Sequence, residues 1–185
     1  AIRTASEDFA LGDVGAGKGT VCHGLKGGIG SASRLIEIDG KQYTVALMVQ
    51  SNHGRLADLT VAGKRVGASI AATDLPVSER QLQRILKRAS VGLARLGSYV
   101  GHGSGEIMIG FSTAARIDYR EQSVREISVI PEGKIDLAFR AIAECAEEAV
   151  LDSMVCAKAV TGFEGHHVNS LADWLQNPEI AARLR

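Results

Sequence analysis

The sequence predicts a mixed α/β (α+β) chain in which sheets and helices stack as layers. Three observations carry this expectation. Two alternating or β-branched runs, residues 34–39 and 42–50, flank Asp39-Gly40, a dipeptide that closes tight hairpins. Leu82, Ile85, Leu86, Ala89, Leu93 and Leu96 recur at helical spacing. Further strand-like and helix-like segments then follow in mixed order.

The elements can be justified in chain order. Residues 12–33, GDVGAGKGTVCHGLKGGIGSAS, hold eight glycines in 22 positions. That density reads as a structured loop rather than an interior helix or strand. After the hairpin, 57–62 and 64–67 flank Gly63 as another turn. Residues 78–97 form the first helix, with Ser78 as cap, Pro76 upstream and Gly97 as stop. Residues 106–112 (EIMIGFS) read as a buried strand, and 125–130 as another, ended by Pro131. Residues 136–161 read as a long helix ending at Gly162, with Ala138, Ile142, Cys145, Ala149 and Val155 facing inward. A short helix at Leu171–Leu175 closes the chain.

Composition bounds the function classes. At 185 residues the expectation is a single domain over 1–185. With 45% hydrophobic and 23% charged residues, this is neither a disordered tail nor a disulfide scaffold. Lys plus Arg and Asp plus Glu are 21 each, which gives no electrostatic case for nucleic acid or an anionic membrane. At 4% aromatics, stacking platforms for single strands are also disfavoured. No apolar run approaches the ~20 residues that span a bilayer. Residues 1–11 carry Arg3, Glu7 and Asp8 and do not read as a signal peptide. Cys22, Cys145 and Cys156 are an odd set without metal-ligand spacing, read as buried reduced thiols of a cytoplasmic protein. Neither a metal nor another cofactor is expected.

One motif is a decoy. GDVGAGKGT (12–20) is nearly G-x-x-x-x-G-K-[ST], with Gly19 where Ser or Thr should stand. A phosphate loop needs an apolar strand before it and a helix starting at the Lys, so that N–H groups face phosphate. ASEDFAL upstream is polar and short, and the glycines downstream forbid a helix. Nucleotide binding is not expected.

Taken whole, GDVGAGKGTVCHGLKGGIGSASR resembles the signature of the L-aminopeptidase D-amidase/D-esterase family, which includes the β-peptidyl aminopeptidases. The resemblance continues in order through VQSNHGR (49–55), ATDLP (72–76), GSGEIMIGFSTA (103–114) and AEEAVLDSMVCAKAVTGFEGHHVNSL (146–171). It implies a layered αββα sandwich, similar to N-terminal-nucleophile hydrolases. It also implies a chain that cuts itself before a Ser or Thr, which becomes the nucleophile at the new N-terminus. That chemistry is physically reasonable. A freed α-amine, with pKa ~7.7–8, is partly neutral near pH 7 and can take the hydroxyl proton, so no His is required.

The resemblance also implies site residues. Ser104 and Glu106 match the pair that supports the nucleophile, with Glu106 orienting Ser104. Asn52 matches the Asn whose amide stabilises the tetrahedral oxyanion. Ser69-Ile70 matches the start of the nucleophile strand, which puts the cleavage boundary at 68/69. Here the chain departs from the family. About three residues are missing between Ser69 and the ATD motif, and the cleavage loop between Val66 and Ser69 is nearly absent. Losing three residues moves a strand start by ~10 Å and inverts its side-chain facing. An ungapped register would put Val66 at the nucleophile position. Either Ser69 acts from a shortened strand, or loop residues are absent from the sequence, or the chain is inactive. Only eleven residues precede Gly12, so the N-terminal part of the family fold is expected to be absent.

The resulting expectation is an aminopeptidase or amidase that releases N-terminal residues from short peptides, amides or esters through Ser69. A homo-oligomer without nucleic-acid or membrane partners is expected. The alternative is a non-catalytic or degraded member of the same fold. A P-loop phosphotransferase ranks last.

Overall fold

The computed structural model describes residues 3, 5–56, 59, 68–97, 106–120 and 122–183. Its frame is a four-stranded sheet. β3 (Ile29–Ile38) and β4 (Lys41–Gln50) pair antiparallel from Ile29↔Gln50 to Ile38↔Lys41. Asp39 and Gly40 turn between them at φ +53° and +77°, the left-handed pair that a two-residue hairpin requires. β5 (Ala68–Thr73) continues the sheet antiparallel to β4. β6 (Met108–Ser112) is parallel to β5, and α1 (Glu79–Arg95) lies in the connection between them. α1 begins as expected: Ser78 accepts from Gln81 N–H, and the Gln81 side chain returns to Ser78 N–H.

Both main helices cover one face of the sheet. α2 (Ile135–Val155) packs on β3 and β4, and α1 packs on α2 and β6. The core between them holds Val45, Leu47 and Val49 of β4, Ala71 of β5, Ile85 and Leu93 of α1, and Ile142 and Ala149 of α2. Glycine sets how closely these layers approach. A Cβ on Gly30 would lie 1.8 Å from Ala149 O, and one on Gly92 would lie 2.0 Å from Ala143 O.

The opposite face of the sheet is apolar and open. Met48, Ile70 and Ile109 form one row across β4, β5 and β6, and Ala46, Ala72 and Phe111 form the next. Ile70, Ile109 and Phe111 are all exposed. The described residues thus supply one helix layer and one sheet of the αββα stack that the resemblance implies. No helix among them is long and apolar enough to cross a membrane.

Six sequence expectations are corrected. Cys156, expected to be buried with Cys22 and Cys145, is exposed at the C-terminal end of the long helix. The Gly-rich segment is not all loop. It holds a 3-10 turn at Gly15–Gly19, a tight hairpin of β1 (Val21–Cys22) and β2 (Leu25–Lys26), and the start of β3. Gly12, Gly17, Gly27, Gly28 and Gly30 stand where the chain passes close to other backbone, and Gly15 and Gly19 do not. Residues 106–112 are not a buried strand: β6 begins at Met108 and ends the sheet with one face open. Residues 125–130 form no strand. Ile130 N–H donates to Pro76 O, but Val124, Ile127 and Val129 are exposed and find no sheet edge. The long helix stops at Val155, which is exposed rather than inward-facing. The backbone after it is drawn against Gly12, and Lys158 N–H donates to Asp13 Oδ1 at 3.2 Å. Finally, the last two residues of the expected helix form β7 (Val160–Thr161), which pairs with β8 (His167–Val168). The short helix α3 (Leu171–Leu175) is present, followed by α4 (Pro178–Arg183). The turn expected around Gly63 lies outside the described residues.

Candidate active site

Sheet register brings three of the expected residues to one end of the sheet. β4 ends at Gln50, opposite Ala68, so Asn52 lies just past the strand where β5 begins. Ser69 sits between Val49 on β4 and Met108 on β6, and its N–H donates to Ile107 O at 3.0 Å. Glu106, half-buried, immediately precedes Ile107. Ser104 lies outside the described residues.

Asn52 is oriented by β1. Its Oδ1 accepts from Val21 N–H at 3.0 Å. A backbone N–H can only donate, so this bond fixes which way the amide points and turns its NH₂ away from β1. The side chain itself is exposed. A donor held by its own acceptor end is what an oxyanion requires.

Ser69 is only 3% exposed, and its Oγ has no hydrogen-bond partner among the described residues. It shares the buried face of β5 with Ala71 and Thr73, whereas Ile70 looks out on the open face. Ser69 also borders a cavity of about 320 Å³ at this end of the sheet, walled largely by Ile29, Met48, Val49, Ile70, Ile107 and Ile109. A buried hydroxyl without a partner is uncommon and marks a place where stability has yielded to something else.

Two positioning residues escaped the sequence reading. Lys26 is 1% exposed, and its Nζ donates to Gly17 O, Thr20 O and Gly27 O at 2.7, 2.8 and 2.8 Å. Burial pushes its ammonium below the usual lysine range, and Asp13 pulls it back up. These three bonds close the Gly-rich segment around β1, which in turn holds Asn52. Ser51 Oγ lies 2.7 Å from Ser153 Oγ on α2 and accepts from Gly28 N–H at 3.1 Å, so it pins the end of β4. The signal for Lys26 was available: a lysine between an apolar residue and two glycines has little solvent-facing chain around it. Nothing local marks Ser51. Replacing Lys26 with Met leaves three carbonyls without their charged donor. A stability loss above ~3 kcal/mol is expected, read from the urea midpoint.

The phosphate-loop decoy lacks its context. Residues 15–19 form a 3-10 turn, Lys18 is exposed, and the next strands are two residues long. No α-helix starts at the lysine to present N–H groups to phosphate.

A family model for peptidase family S58 matches residues 1–168. The β-peptidyl aminopeptidase BapA of Sphingosinicella microcystinivorans is 37% identical over 92% of this chain, which corresponds to 52% of that protein. Among solved structures, the PH0078 protein of Pyrococcus horikoshii OT3 aligns with a TM-score of 0.90 and 44% identity, covering 100% of this chain and 55% of its own. The L-aminopeptidase D-Ala-esterase/amidase of Ochrobactrum anthropi, a serine aminopeptidase with a variant of the Ntn hydrolase fold, aligns with a TM-score of 0.83 and 32% identity. That alignment covers 90% of this chain and 51% of the other. This chain therefore spans about half the length of each of these proteins.

Proposed function

Because this chain belongs to peptidase family S58, we propose that it is a self-cleaving serine aminopeptidase or amidase acting on short peptides, amides or esters, with Ser69 as its nucleophile. The observation that carries this reading is the convergence of Asn52, Ser69 and Glu106 at one sheet end, with the Ser69 hydroxyl buried and unpartnered. In the maturation step, Ser69 Oγ attacks the Ala68 carbonyl carbon. The C–N bond breaks, an ester forms, and the Ser69 amine is released with the proton. Water then hydrolyses the ester to an Ala68 carboxylate and a free Ser69 hydroxyl. In turnover the new α-amine accepts the hydroxyl proton as Oγ attacks the substrate carbonyl. The Asn52 NH₂ donates to the oxyanion, and the proton passes to the leaving amine. Water releases the acyl group by the same route. Ser104 and Glu106 keep, in this reading, the supporting role that the family resemblance gives them. No cofactor takes part. The proposal extends to a cytoplasmic homo-oligomer: the compartment rests on the three cysteines, none of them disulfide-bonded, and the oligomer on the family resemblance.

One observation favours a second reading, a non-catalytic member of the fold: the Ser69 side chain faces the helices rather than the open sheet face. The intact mass of the purified protein separates the two. Two fragments divided between Ala68 and Ser69, together with hydrolysis of aminoacyl-p-nitroanilides, support the enzyme. A single uncut chain without hydrolysis supports the second reading.

Asn52→Asp gives a further check on the enzyme. It keeps an acceptor for Val21 N–H but removes the donor and sets a negative charge against the oxyanion. We expect kcat to fall by ~10²–10³-fold with the melting temperature unchanged. Unchanged kcat would return Asn52 to a turn residue.

A further inference from the structure

Cys22 ends β1, His23 follows it in the turn, and His53 lies beyond β4. The fold gathers all three, although 31 residues separate Cys22 from His53. One ligand atom from each lies within 4.8 Å of the other two. Cys22 Sγ and His53 Nε2 are 3.6 Å apart, and the two imidazole rings meet edge to face with centroids 5.1 Å apart. A tetrahedral zinc site with Zn–S of about 2.3 Å and Zn–N of about 2.0 Å has an S···N edge of about 3.5 Å. The Cys22–His53 pair already has that spacing.

Backbone holds the donors in place. His23 N–H donates to His53 O at 2.6 Å. His23 Nδ1 lies 3.2 Å from Arg55 O. A carbonyl can only accept, so Nδ1 is the donor in this contact and Nε2 is the ring's candidate ligand atom. A ring N–H held by a backbone carbonyl is the usual outer support of a metal-binding histidine. Cys22 and His23 are fully buried. His23 holds φ +52°, and a Cβ on Gly54 would lie 2.5 Å from its ring. The chain thus accepts left-handed backbone at a non-glycine residue, and takes a glycine beside it, to seat this imidazole. One thiol and two imidazoles suit zinc and cobalt(II) and are poor ligands for magnesium or calcium.

We propose that Cys22, His23 and His53 bind one zinc-class divalent ion, with water in the fourth position. On binding, the Cys22 S–H proton leaves to solvent as the sulfur–metal bond forms, and no electron is transferred. The ion would clamp the β1 turn to residues 52–55, the two segments that meet at Val21 and Asn52. This site goes beyond the hydrolase reading and does not depend on it.

The test is cobalt(II) titration of the chelator-stripped protein. We expect one equivalent to bind with a thiolate-to-cobalt charge-transfer band and tetrahedral ligand-field bands, and zinc to displace it. Zinc should also raise the melting temperature in a concentration-dependent way. Cys22→Ser should abolish the charge-transfer band. His53→Gln, at a half-buried position that tolerates change better, should weaken binding at least tenfold. Cys156→Ser, which removes an exposed thiol, should change neither. Lack of stoichiometric uptake by the wild-type protein would overturn the proposal. So would a thiolate band that survives in Cys22→Ser, or binding unaltered in His53→Gln.

Discussion

Ser69→Ala is expected to abolish self-cleavage and hydrolysis together while leaving the fold at least as stable. The loss of chemistry follows from the proposed role: without Oγ there is no acyl shift at Ala68, no freed amine and no nucleophile. The stability effect follows from geometry. The hydroxyl is buried and unpartnered among the described residues, so the wild-type chain carries the desolvation cost of a polar group without a compensating bond. Alanine removes that cost without opening a large cavity. A gain of about 1 kcal/mol would raise the melting temperature by roughly 2–4 °C for a chain of this size. The measurements are intact mass, p-nitroanilide hydrolysis and melting temperature, the last compared on uncleaved protein. Full activity in Ser69→Ala removes Ser69 from the mechanism. A lowered melting temperature would give the hydroxyl a structural role instead.

Gly30→Val should prevent folding. A Cβ there would sit 1.8 Å from Ala149 O and 2.5 Å from Ser153 N, both backbone atoms of α2. Side chains can rotate away from a clash, but helix backbone can only move as a body. Relief would lift α2 from β3 and open the core around Ile142 and Ala149. It would also break the bond from Ser31 N–H to Asp152 Oδ2. The cost exceeds the ~1–3 kcal/mol of ordinary overpacking. Gly28→Val belongs to the same class, since its Cβ would lie 2.0 Å from Gly12 O. Gly19→Val, with nothing within 4 Å, and Lys18→Ala, at an exposed position, should be nearly neutral. Soluble yield and circular dichroism decide the matter. Native-like spectra and melting for Gly30→Val would show that the two layers are not held at the distance described.

What could be read from sequence was local in origin. Asp39-Gly40 sets its own hairpin because its left-handed preference is a property of two residues. Ser78 and Gln81 start α1 because a capping box lies within one turn. The order of long motifs identified the family, and with it the expectation that Asn52, Ser69 and Glu106 belong together.

Contacts between distant residues were not readable in this way. The end of β3 that begins at Ile29 looked like loop, because its glycines make sense only beneath α2. Residues 125–130 looked like a strand, because a β-branched run does not reveal whether an edge is free to receive it. Val155 fits a helical stripe but is the last residue of α2 and is exposed. Lys26, Ser51 and the Cys22–His23–His53 group gained their roles from partners brought by folding. The Ser51–Ser153 pair is 102 residues apart. Family, mixed class, main hairpin and α1 are legible in the residues alone. The face of β5 that Ser69 occupies is set by folding. Side-chain facing alternates with each residue, so it depends on where β5 is registered against β4 and β6, and that register is fixed by the packing of the whole sheet.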